Sequence, residues 1–94
     1  MYLMISKYLV SPDEVEKVRG EHLAYLDGLD ERGLLVTAGR QEPPTGGVVL
    51  LNVDDEARAR ELIAADPYVT SGTAEYSAVG WNPTRGALAG YPKP

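Results

Sequence analysis

Cysteine is absent from these 94 residues, which excludes disulfide frameworks, thiolate catalysis and cysteine zinc sites. Basic charge is thin. Nine Lys and Arg stand against fourteen Asp and Glu for a formal charge of −5, and no dense basic cluster exists to neutralise a row of phosphates. Nucleic acid is therefore not an expected partner. Long apolar runs are lacking too: the N-terminal MYLMISKYLV is apolar for only a few residues, contains Lys7 and has no basic leading region. It fits neither a signal peptide nor a membrane span, so a cytoplasmic protein without a membrane partner is expected. Histidine occurs once, too few for the usual His-rich metal sites. What is present, 44% hydrophobic and 24% charged residues, is globular composition, unlike that of a disordered chain. A chain this short has room for one domain with a small core, which association with a second copy would help to stabilise.

Residues 2–10 alternate imperfectly, with Tyr2, Met4, Ser6 and Tyr8 on one side and Leu3, Ile5, Lys7 and Leu9 on the other, as in a strand covered on both faces. Ser11, Pro12 and Glu14 then supply a cap, a first helical residue and the pattern of a capping box. The helix that follows has a stripe of Val15, Val18, His22, Leu26 and Leu29, and Gly33 is its end signal. LLVTAG is a short strand, RQEPPTGG a hairpin connection and VVLLNV a buried strand. Asp54 or Asp55 caps a second helix packed through Ala57, Ala59, Leu62 and Ile63, which Pro67 stops. Residues 73–81 alternate as a final strand, and NPTRGALAGYPKP is too rich in Pro and Gly for a regular element.

The order β-α-β-β-α-β is that of an α+β, ferredoxin-like split unit: one antiparallel sheet with two helices on one face. Residues 1–81 would form the domain and 82–94 a tail acting as a lid, an interface arm or a frayed end. Apolar residues on both sides of the strands suggest that a second subunit covers the open sheet face, giving a homodimer.

Chemistry has few places to reside. A lone histidine on an apolar stripe is commonly a packed structural residue, and an aspartate before proline is commonly a turn residue capping local amides. From spacing alone, His22 and Asp66 stay open between those roles and an acid-base pair. Gly46 and Gly47 lack the strand-to-helix context of a phosphate loop and are assigned a structural role.

RGEHLAYLDGLDERGLLVTAG, then GG before a valine-rich strand, a helix and AADPYVTSG together resemble the YCII-related family, over nearly the whole chain up to Trp81. That resemblance implies a dimeric α+β barrel of ferredoxin-like protomers, in which a helix histidine and the aspartate of an Asp-Pro-aromatic motif meet in a cleft as a proposed catalytic dyad. Here those residues are His22 and Asp66. The few relatives with an assigned activity are similar to lactone isomerases and include a dehydrochlorinase acting on a chlorinated ring. A carboxylate on one imidazole nitrogen would fix the tautomer and leave the other nitrogen for a substrate proton.

The leading expectation is therefore a cofactor-free, metal-free lyase or isomerase acting on a carbonyl-containing or ring-derived small organic acid. Tyr68, the aromatic of the motif, and Arg40, where many relatives have proline, are candidate substrate-binding residues. Tyr25 and Ser71 are weaker candidates, more simply read as a packing tyrosine and a turn serine. A non-catalytic ligand-binding module on the same barrel is the competing expectation, and a heme-degrading or oxygen-using enzyme a third.

Overall fold

In the computed structural model, which describes all 94 residues, the chain runs β1 (Tyr2–Tyr8), α1 (Pro12–Glu31), β2 (Leu35–Arg40), β3 (Gly47–Leu51), α2 (Glu56–Ala64), α3 (Pro67–Thr70) and β4 (Ala74–Gly80). All strand pairs are antiparallel and the sheet order is β2-β3-β1-β4. This is an α+β, ferredoxin-like architecture, as the order of elements leads one to expect.

Helix α1 begins where the sequence signals it. Ser11 is extended at the N-cap and its hydroxyl accepts from the Glu14 amide at 3.4 Å, with Pro12 in the first turn. The reciprocal half of the capping box is missing, because the Glu14 carboxylate pairs instead with Lys17 at 2.8 Å. At the other end Gly33 adopts φ 72°, and the Leu34 amide donates to the Leu29 carbonyl, closing the helix in a left-handed turn. Of the apolar stripe, Val15, His22, Leu26 and Leu29 are buried and Val18 is half-buried.

Strand parity divides the sheet into two faces. Met4, Val49 and Leu51 point to the helices and form the main core with Leu26, Leu29, Val53, Ala59, Leu62 and Ile63. A smaller cluster of Val15, Tyr68 and Ala74 lies toward the other end of β1. The opposite face carries Leu3, Ile5 and Val48, half-buried, and Val79, 47% exposed. Trp81, one residue past β4, exchanges backbone hydrogen bonds with Met1 and is 45% exposed.

Five details sharpen or correct the sequence reading. Strand β1 ends at Tyr8, because Leu9 and Val10 are exposed and the chain must turn to reach its cap. Ala57 is exposed and contributes no packing, whereas Asp55 is the cap of α2 and accepts from the Arg58 amide at 2.7 Å. The final strand is one residue shorter at each end than expected. Pro67 does more than stop α2. With Asp66 as N-cap it opens the single turn α3, a role proline's fixed φ suits as well as it suits termination. The tail is not frayed: it returns to the end of β3, where the Asn52 amide donates to the Pro92 carbonyl at 3.1 Å.

The hairpin between β2 and β3 depends on one close approach. A Cβ on Gly46 would lie 1.8 Å from the Ser6 carbonyl oxygen, while Gln41 spans the same place, its side-chain amide donating to that oxygen at 2.8 Å. Gly20, on the exposed side of α1, has no atom within 4 Å of its missing Cβ. Urea unfolding should therefore give opposite signs: Gly46→Ala loses about 3 kcal/mol through backbone displacement, and Gly20→Ala gains about 0.5–1 kcal/mol from helix propensity.

Candidate active site

Three elements converge on one buried carboxylate. Asp66 is fully buried, and its place as N-cap of α3 turns its side chain back along the chain, so that Oδ1 accepts from the Tyr68 amide at 3.0 Å. From α1, Nδ1 of His22 lies 2.8 Å from Oδ1 and 3.0 Å from Oδ2. From β4, the Tyr76 hydroxyl donates to Oδ2 at 2.9 Å. A buried charge without partners is costly, and three charge-assisted donors offset that cost at fixed positions.

The donors decide the state of the imidazole. Asp66, already accepting from an amide and a phenol, favours a proton on Nδ1, which leaves the lone pair of the neutral ring on Nε2. Nε2 makes no hydrogen bond within the chain, and no buried side-chain nitrogen or oxygen lacks a partner, so Nε2 is open to solvent. The ring is held face-on by Tyr68, whose centroid lies 3.9 Å away with planes 9° apart, and Tyr8 meets Tyr68 edge-on at 6.0 Å.

His22, Tyr68 and Tyr76 line a cleft of about 270 Å³ between α1 and the strands β1, β2 and β3. Arg40 reaches the same cleft from the end of β2, so the four leading candidates of the sequence lie in one place: Asp66 behind His22, and Tyr68 and Arg40 in the wall. Tyr25 does not join them, since its hydroxyl donates to the Leu62 carbonyl. Ser71 likewise serves its turn, donating to the Pro67 carbonyl at 2.6 Å. No tail residue lines the cleft within this chain.

Sequence reasoning missed Tyr76, Tyr8, Ser6 and Arg19, all of which line the cleft. Parity was an available signal for the first three, because Ser6 pairs with Tyr76 and Tyr8 with Ala74 on the helix-facing side of the sheet. Arg19 precedes His22 by about one helical turn. No three His, Cys, Asp or Glu residues gather in a group that could hold a metal ion.

Burial pushes the Tyr68 phenol up to about 12, with Tyr8 adding to the shift and Arg19 and Arg40 opposing it. Burial and then the Asp66 carboxylate hold the Tyr76 phenol far above the ordinary tyrosine range, and the same two causes raise Tyr25 more modestly. Below pH 10, the ordinary tyrosine value, these phenols are protonated whether the chain is folded or not. Above it the unfolded chain ionises first, so stability falls between pH 10 and about 12. Thermal melts across that range should show a decline that Tyr68→Phe and Tyr76→Phe each make shallower. At neutral pH, Tyr76→Phe should cost about 2 kcal/mol by removing one donor from a buried carboxylate.

Comparison with known proteins supports a single relationship. The profile of the YCII-related domain matches residues 1–82. The uncharacterized protein YjpA of Bacillus subtilis (strain 168) is 33% identical over 78 residues, covering 79% of this chain and 92% of that protein. The fold resembles 5-chloro-2-hydroxyhydroquinone dehydrochlorinase (TftG) from Burkholderia phenoliruptrix AC1100, solved in complex with 2,5-dihydroxybenzoquinone. The TM-score is 0.70 at 16% identity, over 87% of this chain and 94% of that one. At such identity the likeness concerns the fold alone. The family profile over most of the chain, together with the YjpA match, places the protein: it belongs to the YCII-related domain family.

Proposed function

We propose that this chain catalyses proton transfer at carbon without a cofactor, as a lyase or isomerase acting on a carbonyl-containing or ring-derived small organic acid. The observation that carries this reading is the 2.8 Å hydrogen bond between Nδ1 of His22 and the buried Asp66 carboxylate, with Nε2 left open on the cleft side. In the proposed step Nε2 accepts a proton from a carbon next to a carbonyl, and the C–H electron pair moves onto the carbonyl oxygen as an enolate. Asp66 stabilises the imidazolium so formed and keeps the ring from turning. Return of the proton to a different carbon is isomerisation, and expulsion of a leaving group from the neighbouring carbon is elimination.

Other wall residues would bind. The Tyr68 phenol, with its pKa pushed up to about 12, acts as a hydrogen-bond donor and as the plate on which the imidazole stacks, not as a base. Arg40 offers a guanidinium to a substrate carboxylate. The dehydrochlorinase named above removes a leaving group from a hydroxylated ring and was solved with a quinone bound, which favours a small-molecule role for this fold.

The proposed unit is residues 1–81, with 82–94 as a tail outside the cleft. A second copy covering Leu3, Ile5, Val48 and Val79 would complete a homodimer, expected to sediment at twice the 10.2 kDa chain mass. No helix is long and apolar enough to cross a membrane, and the proposed setting is cytoplasmic.

A panel of carbon acids incubated in heavy water tests the chemistry by NMR. Wild type should introduce deuterium next to the carbonyl of at least one of them, and His22→Gln or Asp66→Asn should slow exchange by about 10²–10⁴-fold. Ligand binding without exchange throughout the panel would favour the non-catalytic module. Nitrogen chemical shifts of His22 report the dyad directly, with a fixed Nδ1–H tautomer in wild type and a mixture in Asp66→Asn.

A further inference from the structure

The cleft has a charge balance opposite to that of the chain. Acids outnumber bases overall and the net charge is −5, yet the cleft lining contains Arg19 and Arg40 and no Asp or Glu. Cations elsewhere on the helices are satisfied locally: Lys17 by Glu14 at 2.8 Å, Arg58 by Glu61 at 3.1 Å and Arg60 by Glu56 at 2.8 Å. Neither Arg19 nor Arg40 joins an ion pair, and neither guanidinium donates a hydrogen bond to the chain.

The two arginines come from different walls. Arg19 stands on α1, about one turn before His22, and Arg40 ends β2 on the sheet side. Their fields meet at Tyr68, where both oppose the rise of the phenol pKa caused by burial and Tyr8. The ring of that tyrosine stacks on His22, so both cations belong to the electrostatic surroundings of the base.

We propose that Arg19 and Arg40 form a guanidinium clamp that selects substrates bearing a carboxylate or an ionised ring hydroxyl, with Arg19 as a specificity residue on the helix that carries the base. The clamp deepens the proton-transfer reading and rests on it for the place of the reacting carbon. A guanidinium presents planar paired donors that match a carboxylate, and an anion bound there supplies the partner that both arginines lack. The same positive field favours the oxygen on which negative charge grows as a proton leaves carbon.

Binding of benzoate and of its neutral isostere benzamide to the full chain tests the clamp, with NMR shifts of Tyr68 and His22 as the readout. Wild type should prefer benzoate by about tenfold or more. Arg19→Gln and Arg40→Gln should each remove most of that preference, Arg19→Lys should restore part of it, and added salt should weaken benzoate alone. Four results overturn the proposal: no measurable benzoate binding, equal affinity for the two ligands, an unchanged preference in Arg19→Gln, or an equal loss for both ligands in that variant. The His22 tautomer in the same samples separates the two readings. With Nδ1–H fixed and no anion preference, the clamp falls and the dyad stands. With anion preference present and the tautomer unfixed, the dyad falls and the clamp stands.

Discussion

A single buried carboxylate organises one end of this molecule. Asp66 has no solvent exposure, and an ionised group in that position is tolerable only if hydrogen-bond donors surround it. Each donor comes from a different element: the imidazole from α1, the amide at the start of α3 and the phenol from β4. The requirement to satisfy one side chain thus fixes how α1 lies against α3, and how both lie over the sheet. Removing any one donor leaves the others holding an under-satisfied charge, which is why polar networks of this kind act as units.

Much of the scaffold was legible in the chain because local signals agreed with the global arrangement. The Ser11–Pro12 start and Gly33 end of α1 are backbone requirements that few other residues meet, and they appear where the sequence puts them. The alternation grouped Tyr2, Met4, Ser6 and Tyr8 on one side of β1, and packing turns that side to the helices. The one-turn α3 was not legible, since Asp-Pro terminates one helix and begins another with the same two residues, and a four-residue element has no periodicity to detect.

The site divides along the same line. Stripe position put His22 on the buried side of α1, but what it meets there is a matter of tertiary packing, and family resemblance supplied the partner that spacing could not. Tyr76 escaped notice because a tyrosine in an alternating strand has no local mark of function; only the pairing of β4 with β1 brings it beside Ser6 and over Asp66. Arg19 escaped for a different reason. An arginine in the first half of a helix is ordinarily a solvated surface residue, and only the packing of α1 over the sheet brings this one to the cleft.

Part of the cleft wall stands apart from the supports of Asp66. Asp66 is held from behind by α3 and β4, whereas Leu23, Ala38, Gly39 and Arg40 face the cavity from α1 and β2 without touching the carboxylate. Substitutions there can reshape the cavity while leaving the His22–Asp66 pair in register. An ancestral chain could in this way pass on its buried histidine-carboxylate pair intact while the cleft in its descendants changes shape, so that kinship in this fold is a better guide to the pair than to the space in front of it.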